Sequence, residues 1–323
     1  MSYYKGNQSG QIPGILPGPP PAGDYYWWEG GALWGTMVDY WFYTKDTTWN
    51  AETEYSLVFQ AGAPQNSYMS PNWTASLGND DQGFWGLSAM LAAETNFQNP
   101  DSSEPQWLAL AQAVFNTQAA RWGTDYCNGG LRWQIPLSNN GYDYKNSIAN
   151  GIFFNIAARL ARYTANETYA EWAIKAYDWT QNVGYIDELW NIYDGAHVEH
   201  NCTDINKAQF SYTAAVFIQG AGFMYNYVSS FPFFRPLPLV LSLPNRAEAR
   251  KYKIADQSWK HKRPMDLPSG PSASLGSPTG PLRSSSRTAS WWRRHANSRL
   301  TSSVRPTCCL SKATCTAGWL RQP

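Results

Sequence analysis

No stretch of this 323-residue chain holds the roughly 18 consecutive apolar residues that a membrane-spanning helix needs, so no transmembrane segment is expected. No signal-peptide pattern opens it: Met1 runs straight into polar, Gly- and Pro-rich sequence. The five cysteines, at 127, 202, 308, 309 and 315, include no CxxC and no Cys/His metal spacing. His197 and His200 lie three apart without a nearby Cys or second His pair, so neither a metal site nor another cofactor is expected. Cations are scarce where the chain is richest in aromatics. Residues 1–231 hold 9 Lys and Arg against 21 Asp and Glu, whereas the remaining 92 hold 16 against 3. Phosphate backbones are bound through Lys and Arg, so the acidic body excludes nucleic acid as a partner.

What is present is aromatic: 17 Trp, 20 Tyr and 13 Phe. Aromatic faces and carboxylates together suit carbohydrate, although large rings equally fill a core. Four sequons, at Asn7, Asn72, Asn166 and Asn201, would suit a glycoprotein of the secretory route.

Residues 1–24 read as an irregular arm. Helical periodicity then predicts segments over 26–44, 48–62, 79–97, 104–121, 145–163, 167–182 and 208–228. Asp101 and Asn166 mark two of the starts. The best strand candidate is Gly130–Ile135. Helices joined by short loops pack antiparallel, and segments 145–163 and 208–228 are apolar round most of their circumference, which predicts burial on both sides. Alternating buried and amphipathic helices imply two concentric layers, an all-α toroid.

From about residue 229 the periodicity stops and a basic Pro/Ser/Arg-rich tail runs to 323. Its composition reads as disorder. A one-frame shift of Ser290–Asn297 and of Cys308–Leu320 permits strings of ordinary folded-protein composition, so the tail also reads as frameshifted or mis-spliced translation.

The sharpest local feature is Leu77-Gly-Asn-Asp-Asp-Gln-Gly-Phe-Trp85. Taken alone, Asn79, Asp80 and Asp81 read first as a helix cap followed by acids in the first turn, where each is worth about 0.3–1 kcal/mol. Two adjacent carboxylates repel, however, and one would have served that purpose. With Gln82 and Trp85 beside them they also suit a sugar site. Glycoside hydrolysis needs one carboxylate as nucleophile or base and another as proton donor, and neighbouring carboxylates push one pKa upward. Glu29, between Trp27-Trp28 and Gly30, is a further candidate acid or a core-helix residue. Tyr193-Asp194-Gly195 is a turn signal that also suits ligand contact, and Asn150 either serves its helix or faces a sugar.

These stretches together resemble glycoside hydrolase family 76, the endo-α-1,6-mannanases and related fungal cell-wall proteins. The matching strings are Tyr25-Tyr-Trp-Trp-Glu-Gly-Gly-Ala-Leu-Trp-Gly, Asp39-Tyr-Trp-Phe-Tyr-Thr and Asn79-Asp-Asp-Gln-Gly-Phe-Trp. Gly130-Leu-Arg-Trp-Gln-Ile, Lys145-Asn-Ser-Ile-Ala-Asn-Gly and Trp190-Asn-Ile-Tyr-Asp-Gly continue the series, so the likeness covers residues 3–228. The resemblance implies an (α/α)6 barrel with residues 25–228 as the catalytic domain, left incomplete by the tail. It implies Asp80 as nucleophile and Asp81 as acid/base. Trp27, Trp28, Glu29, Asn79, Gln82, Trp85, Asn150, Tyr193 and Asp194 would then contact substrate. The implied partner is α-1,6-linked mannan, cleaved with retention or transferred to a wall glycan by an extracellular or cell-surface monomer. A non-catalytic wall carbohydrate-binding protein is the alternative outside enzymology. The family's signal peptide and C-terminal anchor signal are not seen in this sequence. Cys127 and Cys202 are implied to form disulfides, with partners unassigned.

Overall fold

The computed structural model describes residues 1–229. The tail, with the readings of disorder, frameshift and an unfinished barrel that rest on it, lies outside the described residues. Seven α-helices follow the predicted periodicity: α1 Trp27–Thr44, α2 Asn50–Phe59, α3 Asn79–Glu94, α4 Trp107–Ala120, α5 Ser147–Thr164, α6 Glu167–Asn182 and α7 Ser211–Ser229. Asn166 caps α6 as expected, its Oδ1 accepting from Thr168 N at 3.0 Å. Asp101 instead shapes a turn ahead of α4, accepting from Ser103 N and Oγ. Two three-residue strands, β1 Tyr144–Asn146 and β2 Gly195–His197, pair antiparallel. Gly130–Ile135, the expected strand, forms no regular ladder. Its amides go to scattered partners, Trp133 N to Tyr144 O and Ile135 N to Leu77 O.

The helices alternate between two layers. α1, α3, α5 and α7 pack side by side in sequence, while α2 lies on α1, α4 on α3 and α5, and α6 on α5. The inner helices run parallel, because their contacts climb together: Trp28 meets Phe84, Gly31 O accepts from Ser88 Oγ, and Gly151 and Gly220 abut Phe217 and Phe154. α4 runs the other way, with Val114 beside Gly86 and Gln118 beside Asn79. Close approach explains two glycines. A Cβ on Gly31 would stand 3.0 Å from Trp85, and one on Gly151 would stand 2.6 Å from Phe217. α5 is buried without a break from Ser147 to Ala161, the all-round burial its composition predicted. α7, for which the same was expected, instead buries one stripe through Thr213, Phe217, Gly220, Met224 and Tyr227 and leaves Ile218 and Tyr225 exposed.

This alternation makes the two ends of the ring unequal. Turns from inner to outer helices are short, at 45–49 and 165–166, with 95–106 longer. Connections from outer to inner helices are long, at 60–78, 121–146 and 183–210. At the short-turn end, the Arg159 guanidinium on α5 donates to both Glu94 carboxylate oxygens on α3 and to Leu87 O. It also lies 5.5 Å from the Phe223 ring on α7 and lowers the pKa of Asp39 on α1, against the burial that raises it. One guanidinium on α5 thus contacts α3 and α7 and reaches α1 through its charge.

Residues 1–24 pack on α1 and α2. The buried Tyr4 hydroxyl donates to Glu52 at 2.6 Å and accepts from Gly14 N, and Trp34 Nε1 donates to Gly14 O at 2.8 Å. Among the described residues no helix is long and apolar enough to cross a membrane.

Candidate active site

The long-connection end holds the aspartates. α3 begins at Asn79, and its first turn carries Asp80 and Asp81. Asp81 Oδ2 accepts from Gly78 N at 2.8 Å, and Asp80 Oδ1 accepts from Asp81 N at 3.1 Å. Adjacent helical side chains ordinarily diverge, but these two converge over Gly78. A Cβ there would stand 2.3 Å from Asp80 Oδ1, 2.4 Å from Asp81 Oδ2 and 3.1 Å from Trp133 O. Gly78 has an extended backbone, φ −94° and ψ 163°. The glycine is therefore required by the space the carboxylates occupy, not by its conformation. Gly78→Ala should splay the pair and cost roughly 1–3 kcal/mol as overpacking. Thermal unfolding checks this, and unchanged stability would contradict it.

Both carboxylates keep part of their surface open while protein surrounds them closely. Burial raises both pKa values, Asp81 to about 6 and Asp80 well above the usual carboxylate range, where the Asp81 charge adds to the burial. Two carboxylates that converge in this way titrate together, so the raised values belong to the pair rather than to either residue. The backbone donors at Gly78 and Asp81 oppose the rise.

Several predicted contact residues hold the pair in place instead of facing a ligand. Asn79 is 1% exposed, and its N and Nδ2 donate to Trp133 O and Arg132 O at 2.8 and 2.9 Å. Gln82, fully buried, donates to Ser67 O and Thr117 Oγ1. Arg121 donates to both Asn79 Oδ1 and Gln82 Oε1. Trp85 and Trp27 are core rings, stacked on each other at 5.3 Å, with Tyr68 and Trp73 continuing the stack. Asn150 grips Leu131 through both its N and its O. Direct sugar contact by these five is thus corrected to support, since they present almost no surface. Glu29 caps α1, its Oε2 accepting from Tyr26 N at 2.7 Å, and burial raises its pKa. Trp28, packed on Phe84, stays half-buried.

Asp194 does reach open space. It accepts from Tyr144 OH at 2.8 Å and from Asn206 Nδ2 at 3.2 Å, and burial raises its pKa. With Trp133, Tyr144, His197, Asp204 and Asn206 it lines a cavity of about 540 Å³. Tyr193, next to it, donates to Asp187 from outside that lining. Trp133, which lines this cavity, holds Asn79 through its carbonyl, and Tyr212 at the start of α7 feels the charges of Asp80, Asp194 and Asp81 together. The Cys127–Cys202 disulfide staples two of the long connections at this end. No group of three or more potential metal ligands occurs among the described residues.

Sequence reasoning did not single out Gly78, Arg121 or Lys145. Only Gly78 left a signal: a glycine at a helix cap where Ser, Thr, Asn or Asp usually leads.

The sequence profile of Glycosyl hydrolase family 76 matches residues 1–231. The chain belongs to glycosyl hydrolase family 76. A mannan endo-1,6-alpha-mannosidase of Saccharomyces cerevisiae is 49% identical over 232 residues, 71% of this chain and 50% of that protein. Dfg5 from Chaetomium thermophilum, solved in complex with glucosamine, is 64% identical with a TM-score of 0.69, over 71% of this chain and 57% of that one. An α-1,6-mannanase of Salegentibacter superposes with a TM-score of 0.51 at 17% identity, over 63% of this chain and 55% of that one. That last likeness concerns the fold, and with the helix order it places the chain in the α/α-barrel class of family 76. The chain spans about half the length of the curated relatives it matches.

Proposed function

We propose that this family 76 chain is a retaining glycosidase acting on α-1,6-linked mannan, with Asp80 as nucleophile and Asp81 as acid/base. The observation that carries the reading is the convergence of both carboxylates over Gly78, where burial raises both pKa values. A retaining enzyme holds its two carboxyl groups about 5–5.5 Å apart, and convergence of this kind supports that geometry. In the Salegentibacter mannanase, an inactive variant with two consecutive aspartates replaced by alanine was solved with α-1,6-mannotetrose. The sequence names of the fungal relatives point to the same linkage. The one-to-one roles come from the family resemblance. Burial alone favours the proton on Asp80, so the roles need their own test. On an aryl mannoside with a good leaving group, the acid/base variant keeps the first step and is rescued by azide, and the nucleophile variant is not.

Hydrolysis and transfer share the covalent intermediate and differ in what attacks it. The cavity of about 540 Å³ lined by Trp133 and Asp194 has room for a sugar, which in a second reading, transglycosylation, would be the acceptor. Mannan incubated with a labelled acceptor separates them. Label in longer chains supports transfer, and release of free ends alone supports hydrolysis. We further infer a glycosylated, secreted monomer at the cell surface. The exposed Asn7, Asn72, Asn166 and Asn201 of the four sequons support it, as does a disulfide suited to an oxidising compartment.

A further inference from the structure

Lys145 on β1 is 1% exposed, although it is one of few cations in an acidic body. No carboxylate lies within ion-pair reach of it among the described residues. Its Nζ donates instead to three backbone carbonyls of one loop, Gly123 O at 3.1 Å, Tyr126 O at 2.9 Å and Gly129 O at 2.5 Å. An ammonium taken out of water is costly unless fixed acceptors replace its hydration. Three inward-pointing carbonyls are equally costly without a donor. Each side of the cage therefore needs the other. Burial pushes the ammonium down to about 8, with Arg132 acting in the same direction and Asp125 opposing both. Tyr185 closes the strand side, its hydroxyl donating to Lys145 O at 2.9 Å.

The caged loop leads directly into Leu131, Arg132 and Trp133. Asn150 fixes Leu131, and the Arg132 and Trp133 carbonyls seat Asn79, the residue that precedes Asp80. We propose that Lys145 is a positioning residue for the aspartate pair: its ammonium gathers the 123–129 carbonyls and so fixes the ledge on which the start of α3 sits. Lys145 does not meet the reacting atoms, and the inference rests on the reading of Asp80 and Asp81 as the reacting pair. The buried Cys127–Cys202 disulfide, with Cys127 N donating to Asn201 Oδ1, ties the same loop to the 183–210 connection.

The test uses the full chain with Lys145→Met and Lys145→Arg. Hydrogen exchange is followed at the Leu131, Trp133 and Asn79 amides, alongside steady-state kinetics on α-1,6-mannan. For folded Lys145→Met the expected result is faster exchange at all three amides. With it should come a kcat lower by up to about 100-fold, as for a displaced reacting group, and a KM changed by less than about twofold. Lys145→Arg, which keeps the charge, should recover part of kcat. Unchanged exchange at Asn79, or a wild-type kcat per folded molecule, overturns the proposal. If Lys145→Met does not fold, Lys145→Gln is judged by the same criteria. If the wild-type chain cleaves no mannan, the glycosidase reading fails on its own, and the Asn79 exchange still decides the role of Lys145.

Discussion

Asp80→Asn and Asp81→Asn should each lower activity on α-1,6-mannan by about 10²–10⁴-fold, the contribution of a positioned proton donor or its partner. Stability should move the other way. Both carboxylates are held above their ordinary range by burial, and Asp80 also by its neighbour. The folded state therefore binds protons more readily than the unfolded one. For such groups stability is greatest at low pH and declines as pH rises from about 4 through about 6. At neutral pH the wild type should be less stable than Asp81→Asn by roughly 1–3 kcal/mol, and less stable than Asp80→Asn as well, both gaps closing near pH 4. Asn keeps an oxygen for the Gly78 amide, so the cap is retained in Asp81→Asn. Thermal unfolding at the two pH values measures the gap, and kcat/KM should rise with pH through about 6, where the pair loses the first of its two protons. A non-catalytic binding protein predicts the stability gain without the loss of function. Variants equally stable at both pH values would remove the electrostatic basis of the site.

The second large effect lies at the opposite end of the ring. Arg159 is 3% exposed, and its Nη2 stands 2.7 Å from Glu94 Oε2. Removing one member of a buried pair leaves an uncompensated charge and costs about 3–5 kcal/mol. Arg159→Met and Glu94→Gln should both lie in that range. The Arg159 change also frees Leu87 O and the Phe223 ring. The pair is not itself strongly stabilising, because its desolvation offsets much of its attraction. Replacing both residues with methionine should therefore recover part of the loss. Denaturant unfolding checks this through the midpoint at constant slope. A loss below about 1 kcal/mol in both single variants would show that water reaches the site and screens the charge.

Helices were legible in the sequence because their signal is local. Three- and four-residue spacing marks a buried stripe wherever it occurs, and all seven helices fall on predicted segments. The two layers were legible from the apolar circumference of α5. The Asp80–Asp81 string was legible as chemistry only through its family motif, since a helix cap uses the same residues. The fate of Trp27 and Trp85 was not legible. A Trp beside acids serves a sugar or a core equally well, and here the core stack with Tyr68 and Trp73 takes both. Lys145 was seen only as part of a motif, and Asn150 was read as a sugar contact, because their partners are backbone carbonyls and amides. Every residue has those groups, so no spacing announces them. β1 and β2 escaped notice because three residues are too few to show alternation.

The inequality of the two ends bears on how such a protein can diverge. The short turns at 45–49 and 165–166 leave little slack, and an insertion there would disturb helix register and the Arg159 contacts. The long connections at 60–78, 121–146 and 183–210 carry the ledge, the cavity wall and the disulfide. Surface connections accept insertions with small entropic penalties. Substrate preference can therefore be rewritten in these three segments while the helical frame and the aspartate pair stay as they are. Descendants of one ring should differ in which glycan they accept long before they differ in how they cut it.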